Sequence, residues 1–354
     1  MPSKKKIKRE NIENIENIQK TVKKRHTKKS KIRSSNKQKR SIKRERKERR
    51  DKKRREKKRE GEKSGSFKYL NCSPLSEQIV VRDQDNGNKP VKSCYNKEGL
   101  LRIRDKWNLR NPDRKIISDD PNQIWNDMKN RMENVCDNEM CWVRQQFIEH
   151  DNKPLIDNFS PKAPESWKKN PSEWLSSTDI IKIMKQYERT YPNFRFIGPS
   201  AIDFDKVIDE TENVCVYDDL CNFNIHDFLK KNVNKIGIVF NTDPHTKGGS
   251  HWIALFIDIK RGIIYYFDSN GSSMPGEVKR FIERIQGQFE QLVGNTLKEG
   301  NNVGFTHQRK DGQCGMYVIY FIVELLTENT PPEKFNTERI TDEQMEKYRT
   351  IIYN

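Results

Sequence analysis

The chain has 354 residues, with 69 Lys or Arg against 51 Asp or Glu, a net charge of +18, and 32% hydrophobic residues. No apolar stretch reaches the ~18–20 residues of a bilayer span, and no apolar run follows Met1, so neither a membrane helix nor a secretory signal is expected. The seven cysteines (Cys72, Cys94, Cys136, Cys141, Cys215, Cys221 and Cys314) show no regular framework in a chain far longer than disulfide-stapled domains, so reduced thiols in a cytosolic setting are expected.

The charge is unevenly spread. Residues 1–64 hold 30 basic and 9 acidic residues, which leaves 39 basic and 42 acidic in the remainder. This first segment has too little apolar surface to offset chain entropy and is expected to be disordered, with fleeting helix over Ser41–Lys58. Its period-three run Asn11–Ile18 is too short for a solenoid. Its charge predicts nucleic-acid attraction by counterion release. A nuclear-address role and a purely solubilising role stay open beside it.

Residues 65–95 read as loop-rich. Leu100, Leu101, Ile103 and Trp107 then predict one amphipathic helix, and Ile124, Trp125, Met128 and Met132 a second. A third is expected from Glu139 to His150. Cys136 and Cys141 have the look of two metal ligands, but no second pair follows, so no zinc site is expected. Residues 151–171, with four prolines, read as a linker. The organisation so far is a basic tail over 1–64 and a helical module with linker over 65–165.

A second module, 166–354, follows. A helix over Asp179–Arg189 is capped from Ser176, Ser177 or Thr178. A short helix is expected over Ile225–Leu229. Ile236–Phe240, Trp252–Ile259 and Ile263–Asp268 read as strands, the last two joined by a hairpin turn at Lys260–Gly262. Pro275–Val293 has helical periodicity, and Val303–Thr306 reads as a further strand. Gly315–Leu326 is apolar on every side, as in a buried helix, and Cys314 stands in its first turn. Thr341 with Gln344 forms a capping box before a last helix over Asp342–Ile352. Strands mixed with helices in this order predict an α+β fold.

Chemistry concentrates around Cys314. Unpaired N–H groups and the dipole at the helix start favour thiolate over thiol, although buried structural cysteines are common. A nucleophilic cysteine needs a base and a group to orient it. His251 opens a strand after Gly248 and Gly249, and the predicted hairpin returns Asp268 towards it. Asp268 is the expected acceptor for the imidazole, with Asn270 the alternative. Gln308, six residues before Cys314, is a candidate side-chain donor for an oxyanion beside the Cys314 N–H.

The order His251-Trp252, Asp268-Ser269, Gln308 and Gln313-Cys314-Gly315 resembles the adenain-like cysteine proteases that include the SUMO- and ubiquitin-like-specific proteases. The resemblance covers roughly residues 172–326. It implies a central mixed sheet flanked by helices, a triad of His251, Asp268 and Cys314, and an oxyanion hole completed by Gln308. Trp174, in the segment resembling the first helix of that family's domain, and Trp252 are implied as walls of a narrow substrate channel. The alternative for both indoles is plain core packing. Leu101–Trp107 and Cys136–Trp142 look like the N-terminal arm of thiol proteases from large cytoplasmic DNA viruses, including giant viruses. The basic tail falls outside that pattern.

The resemblance implies a thiol endopeptidase that cleaves after Gly-Gly or Gly-X with small flanking residues. Its protein substrates would be viral structural precursors in virion maturation, which places it in the virion and host cytoplasm, with the nucleus also open. The chemistry calls for no metal and no cofactor. Three other readings stand beside it: a deconjugating protease for a ubiquitin-like protein, an acetyltransferase, and a nucleic-acid-binding virion component with an idle site.

Overall fold

The structure, a computed structural model, describes residues 67–145, 153–212 and 214–354. The expectations for residues 1–64 and for 146–150 of the helix expected to His150 lie outside these residues; the described part of that helix already ends at Val143, before Arg144 and Gln145. Residues 66–354 form one compact unit.

The N-terminal part of this unit opens with a hairpin of β1 (Ile79–Asp83) and β2 (Lys89–Ser93), paired from Ile79↔Ser93 to Asp83↔Lys89. Three helices follow, each started by a polar side chain that takes an orphan N–H. Asn96 caps α1 (Lys97–Arg110), Asp120 caps α2 (Pro121–Met132) and Asn138 caps α3 (Glu139–Val143). Leu100, Ile103, Trp107, Ile124, Trp125 and Met128 point into one core, as the helical spacing predicts. The loop expected over 65–95 is therefore partly a hairpin. Pro90 obscured it, because proline lacks the ladder N–H and argues against a strand.

Glu139 is buried at the centre of this core. Its carboxylate accepts from the Cys94 N–H at 3.1 Å and from Trp125 Nε1. Burial pushes the carboxyl up from its ordinary range, against the hydrogen bonds from Cys94, Ser93 and Trp125. Each donor it satisfies would cost about 1–3 kcal/mol if left unpaired in the interior.

Residues 153–171 are not a free linker. A short α4 (Lys153–Ile156) buries Leu155, and Phe159 and Trp167 are buried as well. The prolines punctuate a segment pinned to both sides. Asn71 donates from Nδ2 to the Thr350 and Tyr353 carbonyls, and Asn354 Nδ2 donates to Asn71 and Ser160.

The cysteine expectation is corrected too. Cys72–Cys94, Cys136–Cys141 and Cys215–Cys221 are disulfides, and Cys314 is the free cysteine. Chain folding places each pair with Cα atoms 5.2–6.3 Å apart, inside the bonding range. Spacing along the sequence does not show this.

The second core is built on a five-stranded sheet. After α5 (Ser177–Thr190) come β3 (Phe194–Ala201), a small ladder of β4 (Val207–Asp209) with β5 (Val214–Cys215), α6 (Asp218–Cys221) and α7 (Ile225–Lys230). Then come β6 (Lys235–Asn241), β7 (Trp252–Asp258), β8 (Ile263–Phe267), α8 (Gly276–Val293), β9 (Lys298–Asn301), α9 (Cys314–Leu326) and α10 (Asp342–Ile352). The sheet order is β3-β6-β7-β8-β9, parallel at both edges and antiparallel in the middle. This is the mixed sheet of an α+β fold. The last strand is β9, over Lys298–Asn301 rather than the expected 303–306.

Side chains alternate across the sheet with period two. Trp252, Ala254 and Phe256 of β7 join the core with α5, α9 and α10. Ile253, Leu255 and Ile257 join the opposite core with α8. Both faces are covered, so every residue of β7 is buried. Gly237 lets α9 lie close on the sheet, since a Cβ there would stand 2.8 Å from Ile322 Cγ2. No helix among the described residues is long and apolar enough to cross a membrane.

Candidate active site

The hairpin brings the first two candidates together. Ala254 pairs with Phe267, so His251 just before β7 and Asp268 just after β8 meet at the same sheet end. His251 Nε2 lies 2.6 Å from Asp268 Oδ1. That bond occupies Nε2, and the Cys314 side chain is the second group that acts on the imidazole. Cys314 is 4% exposed and begins α9, which no side chain caps. Its thiol thus sits where the helix's first N–H groups are unmatched within the helix.

Electrostatics follow from this geometry. Burial would lower the His251 pKa, but the hydrogen bonds to Asp268 and Cys314, and their charges, outweigh it and raise it to about 9. Burial would raise the Asp268 carboxyl, yet His251, the Asn270 N–H and Ser272 hold it below the usual carboxylate range. Asn270 is placed differently from Asp268. Its Nδ2 is 3.5 Å from His251 Nε2, while its backbone N–H donates to Asp268 Oδ1 at 2.8 Å.

Gln308 stands over the loop that leads to Cys314. Its Oε1 accepts from Ser269 Oγ at 2.8 Å and its Nε2 donates to the Lys310 carbonyl at 2.8 Å. The backbone N–H groups of His307 and Gln308 both donate to the Ser269 carbonyl. One amide hydrogen of Gln308 is thus committed to the loop and the second is left to act elsewhere.

One residue at this site has no role in the sequence reading, and another, Ser269, enters it only as part of a motif. Asn302 is buried and brackets Asp268, accepting its N–H at 3.0 Å and donating to its carbonyl at 2.6 Å. Ser269, fully buried, fixes the Gln308 amide. Asn302 carries no sequence signal, because a loop Asn is ordinary turn chemistry, and the Asp268-Ser269 motif does not show that the serine holds Gln308.

The two indoles differ. Trp252 is 9% exposed, belongs to the core around α9, and donates from Nε1 to the Leu175 carbonyl at 3.0 Å. It also borders a cleft of about 200 Å³ lined with Ser177, Pro199, Asn241 and Gly249. Trp174 is 49% exposed and lies beside Gly312.

Residues 222–354, which contain His251, Asp268, Gln308 and Cys314, match the Ulp1 protease family, C-terminal catalytic domain. A putative thiol protease of Acanthamoeba polyphaga mimivirus is 28% identical over 286 residues, covering 75% of this chain and 90% of that protein. A SUMO-1 cysteine protease of African swine fever virus is 29% identical over 232 residues, covering 62% of this chain and 83% of that protein. The crystal structure of an African swine fever virus protease shares the fold, with a TM-score of 0.53 at 23% identity over 82% of this chain and 97% of that one.

Proposed function

We propose that the protein is a thiol endopeptidase acting after glycine, with Cys314 as nucleophile, a reading supported by the match of residues 222–354 to the Ulp1 protease family, C-terminal catalytic domain. The observation that carries this reading is the imidazole of His251 bonded to Asp268 at 2.6 Å and acted on by the Cys314 side chain. His251 takes the thiol proton, or holds it in an ion pair, while Asp268 keeps the ring in place. The sulfur attacks the scissile carbonyl. The oxyanion is met by the Cys314 N–H and the free amide hydrogen of Gln308. The imidazolium returns its proton to the leaving amine. Water, deprotonated by His251, then resolves the thioester.

Selectivity for glycine is what the resemblance to the SUMO- and ubiquitin-like-specific proteases implies. Leu175 and Trp252 press on Gly315, where a Cβ would stand 2.8 Å from Leu175 Cβ. Trp252 then serves as a channel wall as well as a core residue, with Trp174 on the open side. Viral structural precursors in virion maturation are the substrate class favoured by the viral relatives. A ubiquitin-like conjugate is the second reading, favoured by the SUMO-1 protease name that the swine fever virus relative carries.

A panel of purified precursors with Gly-Gly-X junctions and ubiquitin-like conjugates separates the two. We expect new termini after glycine in the precursors, and none with Cys314→Ala. Cleavage confined to the conjugates would favour the second reading, and no cleavage of either class would overturn the assignment.

The net +21 of residues 1–64 supports a nucleic-acid partner for that segment. Deleting it should remove salt-sensitive DNA binding and spare cleavage of a short peptide. Unchanged DNA affinity in the shortened protein would refute the partner.

A further inference from the structure

Arg349 in α10 is the most deeply buried cation near the thiol, at 5% exposure, and the reaction scheme above does not use it. Its guanidinium is spent on carbonyl oxygens of two segments. Nη1 donates to the Pro171 and Glu173 carbonyls at 3.1 and 2.8 Å. Nη2 donates to the Gly312 carbonyl at 3.4 Å and to Gln313 Oε1 at 3.1 Å. Its flat face lies over Trp167, 4.4 Å from the ring centroid. Only a planar fork reaches four acceptors in this way, so lysine is not equivalent.

The two segments are those that shape the site. Gly312 and Gln313 immediately precede Cys314. Pro171 and Glu173 precede Trp174 and Leu175, and the Leu175 carbonyl holds Trp252. They are pressed together at Gly312, whose φ of +97° and whose missing Cβ, which would stand 2.3 Å from the Ser172 carbonyl oxygen, both require glycine. Gln313, at φ −105° and ψ −1°, sets the direction of the next N–H, that of Cys314. Gln313 is itself 1% exposed.

Stability alone explains this arrangement poorly. A guanidinium taken out of water costs several kcal/mol. Burial draws Arg349 below its ordinary pKa, with Tyr353, Asp179, Glu173 and Cys314 acting against that. Gln313 Nε2 and Arg349 Nε are both buried with no hydrogen-bond partner among the described residues. Polar groups kept at such a cost concentrate where a site is being held in shape.

We infer that Arg349 is a positioning residue for acyl transfer, clamping Gly312 and Gln313 so that the Cys314 N–H faces the developing oxyanion. The inference rests on the thiol-protease reading above and adds a residue outside the triad. It predicts a split between two reactions of the same sulfur. Peptide hydrolysis builds an oxyanion and needs the clamp, whereas alkylation by iodoacetamide builds none and does not.

The test compares wild type, R349K and Q313L on a fluorogenic peptide ending in Gly-Gly and on iodoacetamide, with thermal unfolding run alongside. For R349K we expect kcat to fall about 10²-fold, the scale of one oxyanion donor, with KM within about twofold and alkylation of Cys314 within about threefold. Q313L, which removes one acceptor and keeps the arginine, should show the same split with a smaller fall. Unchanged kcat in both variants, or alkylation that falls in step with kcat, would overturn the inference. If R349K does not unfold cooperatively, Q313L decides alone. Failure of the thiol-protease reading looks different: wild type itself would leave the peptide intact, or Cys314→Ala would still cleave it.

Discussion

Cys314→Ala should lower kcat/KM for a glycine-ending peptide by about 10⁴-fold or more, the scale on which removal of a catalytic nucleophile is felt. His251→Ala should cost a comparable factor. The double variant should be hardly worse than either, because the sulfur and the imidazole act as one unit. The loss would be chemical rather than structural. Cys314 lies among Leu175, Trp252 and Tyr317 in the core around α9, and replacing its sulfur by hydrogen removes about one methylene's worth of burial, on the order of 1 kcal/mol. A two-state unfolding curve for Cys314→Ala close to that of wild type would establish this. Steady-state kinetics on the peptide decide the matter. A Cys314→Ala protein that kept more than a few per cent of wild-type cleavage would require a different nucleophile, and the described residues hold no second free cysteine.

The parts of the fold that could be read in the sequence are those whose pattern is local. Every position of β6 and β7 except Asn241 is buried, so Ile236–Phe240 and Trp252–Ile257 stand out as apolar runs, and Gly262 marks the hairpin turn between β7 and β8. α9 is apolar all round and α10 carries its full Thr341–Gln344 capping box. β3 was missed because Arg195 interrupts it and Gly198-Pro199 breaks its ladder, where the pairing with β6 shifts between Ile197 and Ser200. Its identity as a strand is decided by β6 alongside it, a long-range pairing. The disulfides were missed for the same reason. Cys72 reaches Cys94 because the chain returns through the β1–β2 hairpin, and chain length argued the other way. At the site, His251, Asp268 and Cys314 stood out because each sits at an element end. Asn302 and Arg349 did not, since an asparagine in a loop and an arginine in a polar helix look solvent-facing until the fold buries them.

Asp268→Asn should leave the geometry near His251 largely in place and change its titration. In the wild type the imidazole is raised to about 9 from an ordinary 6.5, with its side chain 16% exposed. If the imidazolium–thiolate pair is the reactive form, peptide cleavage persists to about pH 9 and declines above it. An amide at position 268 keeps the burial that disfavours the cation and loses the charge that overcame it. The alkaline limb of kcat/KM should then move down to about pH 7 or below, with a fall in rate of about 10⁴-fold at its optimum, as for the acid of a Ser-His-Asp site. Stability should change in the same sense. A histidine whose folded pKa is raised adds stability that is fully present below about pH 6.5 and lost as pH rises through about 9. At about 1.36 kcal/mol per unit this amounts to about 3 kcal/mol in the wild type and little in Asp268→Asn. The choice between Asp268 and Asn270 as the orienting group is tested together with this. Asn270→Ala keeps the backbone N–H that holds Asp268 Oδ1, so its pH profile should stay close to that of the wild type. A profile for Asn270→Ala displaced further than that of Asp268→Asn would transfer the role to Asn270.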